Sequence, residues 1–463
     1  MSNINYNSKK TICCICALVV FCTLGAHAGE PGQKKTDIPK SKDLVREIRS
    51  LSESEIYRRA SKNARDKLAL EQYEKRGAET TSLTKNIVLS NPDNAALLYY
   101  QTFLLRPEPN MATFRKIMDV LGGTAEPDRQ IRTYLGRCLT TSQLTEAASQ
   151  IPQCTWGIWH PDGYEPVLGN LVSEVRQLEY ILTLDARTLA ADGHYRAALS
   201  RCLTTRRLAR HVGDYTTLLY LLSMHIDSGA QFTIQHILCV MPPETNTLMW
   251  LRGQLATVQG PRLSFARAIQ TDFEFILHDM QTKTNILKEI KHQLAENTEN
   301  EQVEEKSKKL TDEELLRSAR EPYAHFLDSI LRIIDSDMTY EQKSLEIKVL
   351  TSKMIDEYGS DPAAGYVIDM SGAYAGQILT WYNLQVRHTA LNNALNAAIE
   401  IYLIYAKTGQ IPEKLPDNLS KDPYSSKDFE YKITEDGFIL RYRIKPVNER
   451  EVRQYEFKVK SKD

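Results

Sequence analysis

The stretch TGQIPEKLPDNLSKDPYSSKDFEYKITEDGFIL (Thr408–Leu440) changes period partway along, and that change decides the fold. Pro412, Pro416 and Pro423 each lock their own backbone and bias the preceding residue away from helix, so this part reads as an extended loop. Phe429, Tyr431 and Ile433 then alternate with Glu430 and Lys432, which is the period of a strand with one dry face. Thr434-Glu435-Asp436-Gly437 supplies a turn. Phe438, Leu440, Tyr442 and Ile444 alternate with Arg441 and Arg443, and Tyr455-Glu456-Phe457-Lys458-Val459 repeats the rule. Three such segments predict an antiparallel meander, which is too small to stand alone.

Its cover lies immediately upstream. Tyr374 to Lys407 reads as one long helix in which Leu384, Leu391, Leu395, Ala398, Tyr402 and Tyr405 form a single apolar stripe, with Gly409 as its stop. The sheet is expected to pack on that stripe, making a small α+β module.

Further upstream the pattern is helical almost throughout. Ser54–Arg76 ends at Gly77, and Ser90-Asn91-Pro92 is expected to open the next helix. The body of that helix, NAALLYYQTFLL, is nearly all apolar and is expected to be buried. Val167–Ala191 and Tyr195–Val212 each carry a stripe at helical spacing, and the short Asp192-Gly193-His194 turn makes them an antiparallel pair. Thr216–Asp227, Gln231–Val240, Glu244–Gln259 and Ser264–Gln281 read as further helices. The segment from Thr284 to Lys309 is strongly charged and reads as a connection, after which Thr311-Asp312-Glu313-Glu314 starts a new helix.

The fold class is therefore mainly α: a helical-hairpin array followed by an α+β module, with a three-stranded antiparallel meander packed on a long helix. The expected divisions are 1–28, export signal; 29–42, flexible tether; 43–310, helical-hairpin domain; 311–370, connecting helices; and 371–463, long helix plus meander.

Lys9 and Lys10, the apolar run Ile12–Leu24 and Ala26-His27-Ala28 are the three parts of a secretory signal, with cleavage expected after Ala28. The apolar run falls short of the roughly 20 residues a spanning helix needs, so no membrane span is expected after cleavage. Loss of the leader leaves 56 bases against 59 acids, a balance with no field to recruit nucleic acid. Four cysteines remain: Cys138, Cys154, Cys202 and Cys239. An exported chain permits a Cys138–Cys154 bridge, and small buried core thiols are the alternative reading.

No nucleophile elbow, zinc-binding histidine pair, phosphate loop or dinucleotide fingerprint occurs, and no cofactor is implied. Asp417, Asp422, Asp428 and Asp436 do not reproduce the spacing of a calcium loop. Arg201, Arg206, Arg207 and Arg210 read as an exposed helix with cations near its C-terminus, with an acidic partner as the alternative.

The richest non-helical patch is CTWGIWHPDGYEP (Cys154–Pro166). There Trp156, Trp159, His160, Asp162 and Tyr164 are candidates to line a ligand groove or contact a partner, since aromatic faces give area and the polar groups give orientation. The competing reading has the tryptophans stapling the loop to the helices.

Three resemblances bear on this. Gly193-His194-Tyr195-Arg196-Ala197-Ala198-Leu199 resembles the turn of a tetratricopeptide-like hairpin. Thr408, Gly409, Pro412, Leu415, Pro416, Asp422, Pro423, Tyr424, Phe429 and Tyr431 follow an order that resembles the globular end of type II secretion major pseudopilins. A pseudopilin helix continues directly into an N-terminal membrane segment, which this long helix does not, so filament assembly is not implied. The wider pattern, including NAALLYYQTFLL and LTLDARTLAADGHYRAALSRCLTTRRLARHVGD, resembles a family of exported helical proteins of planctomycete-type bacteria, and implies compartment and fold but no activity. The functional expectation is an exported, non-enzymatic interaction or scaffold protein with a protein partner. The alternative is a small-ligand binder or cryptic enzyme built on the Trp156–Tyr164 loop.

Overall fold

A computed structural model of the chain describes residues 53–77, 93–157, 165–213, 216–258, 264–282, 291, 311–358, 362–417, 419–446 and 452–460. The expected export signal and tether, and the charged stretch 284–309 apart from position 291, lie outside the described residues.

Thirteen helices are described: α1 (Glu53–Gly77), α2 (Ala95–Leu105), α3 (Met111–Leu121), α4 (Arg129–Arg137), α5 (Leu139–Ser149), α6 (Glu165–Ala191), α7 (Tyr195–Val212), α8 (Thr217–Val240), α9 (Thr245–Thr257), α10 (Phe265–Thr282), α11 (Asp312–Asp335), α12 (Tyr340–Tyr358) and α13 (Pro362–Thr408). The strands β1 (Glu430–Thr434), β2 (Gly437–Arg441) and β3 (Gln454–Lys458) follow. The fold is mainly helical with one small antiparallel sheet, as the change of period predicts. None of the described helices is long and apolar enough to cross a membrane.

Helices α6 and α7 form the expected hairpin. The Gly193 N–H donates to the Ala190 carbonyl and the His194 N–H to the Leu189 carbonyl, closing the end of α6. Ala197 and Ala198 are buried just beyond the turn, where small side chains let the two helices approach. Helix α8 differs from expectation: it runs unbroken through Ser228-Gly229-Ala230, where the small residues suggest a gap. Ile226, Asp227, Ala230 and Gln231 are all buried there, and that packing overrides the poor local propensity. Helix α2 also differs. Its cap is Asn94, whose side chain accepts from the Ala96 N–H, rather than a residue at 90–92.

The long helix α13 begins at Pro362, twelve residues before the expected Tyr374, and so crosses the boundary expected at 370/371. It also buries more than one stripe. Ala390, Ala394, Ala397, Ile399, Ile401 and Leu403 are buried along with Leu391, Leu395, Ala398 and Tyr402. The reason is that α8, α9, α11 and α12 pack on the faces the sheet leaves open. A single apolar core therefore runs from α6 through α13 into all three strands.

The meander has the order β1-β2-β3, with Tyr431 opposite Leu440 and Leu440 opposite Tyr455. Phe438, Leu440, Tyr455 and Phe457 form its dry face. Phe438 meets the Tyr402 ring of α13 edge-on at 5.7 Å. Asp422 ties the preceding loop together. Its buried carboxylate accepts from the Tyr424 N–H (3.0 Å), the Ser425 hydroxyl (2.7 Å) and the Arg443 N–H (3.1 Å). That knot presents Tyr424 to Tyr340 and Tyr442, each with ring centroids 4.7 Å away. Gly409, at φ 73°, terminates α13 in the left-handed region that a β-carbon disfavours.

Candidate functional site

Of the five loop candidates, Trp156 is described; Trp159, His160, Asp162 and Tyr164 lie outside the described residues. Asn94 organises the approach to Trp156. Its amide group donates to the Thr155 carbonyl and accepts from the Thr155 N–H, both at 2.8 Å, while the Ala95 N–H donates to the Gln153 carbonyl. Residues 153–155 are thus pinned to the first turn of α2. Trp156 is buried beyond them. Its indole N–H donates to the His211 carbonyl at 2.8 Å, its ring stacks on Tyr99 and Phe103, and Tyr100 meets it edge-on. Tyr100 also donates its hydroxyl to the Trp156 carbonyl, and Tyr99 shares a hydrogen bond with His211 Nδ1 at 3.0 Å. This indole is an anchor that holds α2, the loop and the end of α7 together.

The outer face of α2 contradicts the expectation of full burial. Leu97, Tyr100 and Leu104 are exposed at steps of three and four, with Leu105 beside them. Leu104 is 85% exposed. Tyr99, Phe103 and one edge of Tyr100 turn to Trp156, while Leu97, Leu104, Leu105 and the rest of Tyr100 face solvent.

The arginine cluster is corrected outright for Arg201 and Arg206. Arg201, 1% exposed, donates to Asp185 at 3.1 Å and to Glu146 at 3.2 Å. Arg206 donates from Nε to Asp227 at 2.7 Å and from Nη2 to Asn392 at 3.0 Å. His388 Nε2 lies 2.7 Å from the same Asp227 carboxylate, and the Gln231 amide donates to it at 2.5 Å. For these two arginines both the exposed-helix and the acidic-partner readings fail, because α5, α6 and α8 pack on α7 and supply buried acids; Arg207 and Arg210 are half-buried, and Arg210 lies in the last turn of α7 as expected. Burial alone raises the Asp227 pKa, but the Arg206 guanidinium and His388 outweigh it and hold the carboxyl well below the usual range. Sequence reasoning missed Asp227 and His388 because they are 161 positions apart. The available signal was Asp227 and Gln231, four residues apart and so on one face of α8.

A second buried acid has the opposite character. Glu179 of α6 sits against Gly229 of α8, where an added β-carbon would lie 2.9 Å from Glu179 Oε1. Its Oε2 has no hydrogen-bond partner among the described residues. Burial pushes its pKa up to about 7, with the Arg176 charge only partly offsetting this. The folded value lies above the unfolded one, so Glu179 contributes stability that is complete below about pH 4.5 and lost as pH rises to about 7. Nearby, burial holds His225 down to about 4, which acts in the reverse direction with pH. Subtracting a variant from the parent cancels the histidine. Glu179→Gln is therefore expected to raise the melting temperature at pH 7.5 and change it little at pH 4.5. Paired thermal melts check this, and an equal change at both pH values refutes it.

Three of the four loop aspartates have structural partners, and Asp417 is exposed. Asp428 pairs with Lys421 and Asp436 with Lys458, while Asp422 points inward as described. The four cysteines among the described residues, Cys138, Cys154, Cys202 and Cys239, are free thiols, so Cys138 and Cys154 are not bridged in this structure. Burial pushes Cys138 and Cys202 up to about 12. A crevice with room for about one water lies between α3, α4 and α6, with Phe114, Tyr134, Gln177 and Tyr180 in its walls; Trp156 is not among them.

Compared with protein-family models, curated proteins and solved structures, the chain has no significant match.

Proposed function

We propose that this chain is an exported, non-enzymatic interaction or scaffold protein that engages an apolar surface of a protein partner through the outer face of α2. The observation that carries the reading is the exposed row Leu97, Tyr100 and Leu104, held in place by the buried Trp156 cluster. Export is supported by Lys9-Lys10, the short apolar run and Ala26-His27-Ala28. A rigid array of packed hairpins suits such a role, because it presents a fixed surface without ordering cost on binding.

The test is cross-linking of the full chain in a periplasmic extract, parent against the Leu97→Glu, Leu104→Glu double variant. Both side chains are more than half exposed, so the fold is expected to be unchanged, within about 0.5 kcal/mol. Capture of the partner is expected to fall about 30-fold, the loss typical of a central apolar anchor. Undiminished capture by the double variant refutes the assignment of this surface.

A further inference from the structure

The two edges of the sheet are treated differently. Glu435 and Asp436 form a two-residue hairpin loop, so Thr434 and Gly437 exchange hydrogen bonds, as do Lys432 with Ile439 and Glu430 with Arg441. Alternation then directs the main-chain groups of Tyr431 and Ile433 away from β2. By the same rule Phe438 and Leu440 bond to β3, and the outward groups of β3 belong to Glu456 and Lys458. Contacts at that edge agree. The Glu456 carbonyl accepts from Gln235 at 2.8 Å, the Lys458 carbonyl accepts from the Tyr402 hydroxyl at 2.6 Å, and the Lys458 N–H meets Cys239 Sγ at 3.4 Å. Side chains of α8 and α13 have closed β3.

Nothing comparable among the described residues closes β1. Among the described residues the main-chain groups of Tyr431 and Ile433 make no hydrogen bond beyond the ladder. Ile433, on the dry face, is 42% exposed. An open strand edge with an uncovered isoleucine is a template for another strand.

We propose that β1 pairs antiparallel with β1 of a second copy of this chain, joining two meanders into a six-stranded sheet across a twofold axis. The charges select the occupant. With the axis at Tyr431, the two tyrosines exchange both hydrogen bonds, and Glu430 of each copy stands opposite Lys432 of the other. Two opposite-charge pairs then form on the wet face at the closer, non-hydrogen-bonded positions. Pairing also lays the second strand alongside the exposed Ile433 side chain. Moving the axis one residue to Lys432 would set two lysines face to face, which disfavours that register. The strand is thus complementary to itself in one register and repels itself in the next.

This surface is separate from α2, so the Leu97→Glu, Leu104→Glu variant is expected to dimerise normally. Sedimentation velocity of the full chain is expected to show a species of twice the single-chain mass. Ile433→Pro removes an outward N–H and no ladder bond, as proline on an edge strand allows, and is expected to be monomeric with an unchanged circular dichroism spectrum. Glu430→Lys and Lys432→Glu are each expected to weaken self-association about tenfold. An equimolar mixture of those two variants is expected to restore the dimer, because every facing pair is again opposite in charge. A monomeric parent, a dimer that survives Ile433→Pro, or a mixture that does not re-associate overturns the proposal.

Discussion

Replacing Asp227 by alanine is expected to destabilise the protein by about 3–5 kcal/mol, the cost typical of removing one partner from a buried ion pair. The carboxylate accepts from Arg206, Gln231 and His388 at once, so three helices lose a shared centre: α7, α8 and α13. Most of the cost comes from the guanidinium left behind. Arg206 is 2% exposed and cannot reach water without opening the packing of α7. Replacing both partners with apolar residues of similar volume, Arg206→Met with Asp227→Leu, is expected to recover much of the loss. The folded-state pKa of Asp227 is depressed, so its contribution is present above the ordinary carboxylate value and disappears as pH falls through the folded one. The stability difference between parent and Asp227→Ala should therefore be flat above about pH 4 and shrink below it. Urea midpoints across pH, with an unchanged slope, are the measurement. A difference under about 1 kcal/mol at pH 7 would show that the cluster is stabilised by packing rather than charge.

The same cluster shows what the sequence does and does not disclose. The meander was legible because strand alternation, the Glu435-Asp436 turn and the proline loop are local signals, and the observed register follows them. The α6–α7 hairpin was legible for the same reason. The arginines were not. Spacing on α7 places Arg201 and Arg206 on the helix but says nothing of what surrounds it. Their partners come from residues 16 to 186 positions away. Burial of α2 failed in the opposite sense. Composition demands cover for every side of an apolar helix, yet the chain supplies Trp156, Tyr99 and Phe103 on one side and leaves Leu104 exposed. Local rules identified the helix and could not count its neighbours. At Trp156 the stapling geometry is now visible, but it rests on a hydrogen bond to the carbonyl of His211, which spacing alone does not indicate.

Phe438→Ala is expected to cost about 3–5 kcal/mol, as for a fully buried phenylalanine, and it tests whether the sheet is a separable unit. The ring has no exposed surface, stacks on Phe457 at 5.1 Å and meets Tyr402 of α13 edge-on. Truncation empties the joint between strand and helix. Ile433→Ala, on the same face of the neighbouring strand but 42% exposed, is expected to cost less than about 1 kcal/mol. The contrast separates burial from strand propensity, which favours the native residue at both sites. Cooperativity is the further question. The core is continuous from α6 through α13 to β3, and β3 is closed along its outer edge by Gln235 and Cys239 of α8. Opening the sheet must therefore expose apolar surface on helices far upstream in the chain. In native-state hydrogen exchange, Phe438→Ala should lower protection of the buried amides of α8 and α13 together with those of β2 and β3, as one unit. Loss confined to residues 430–458, with the helices still protected, would mean that the shared core does not couple the two parts and that the sheet folds and unfolds by itself.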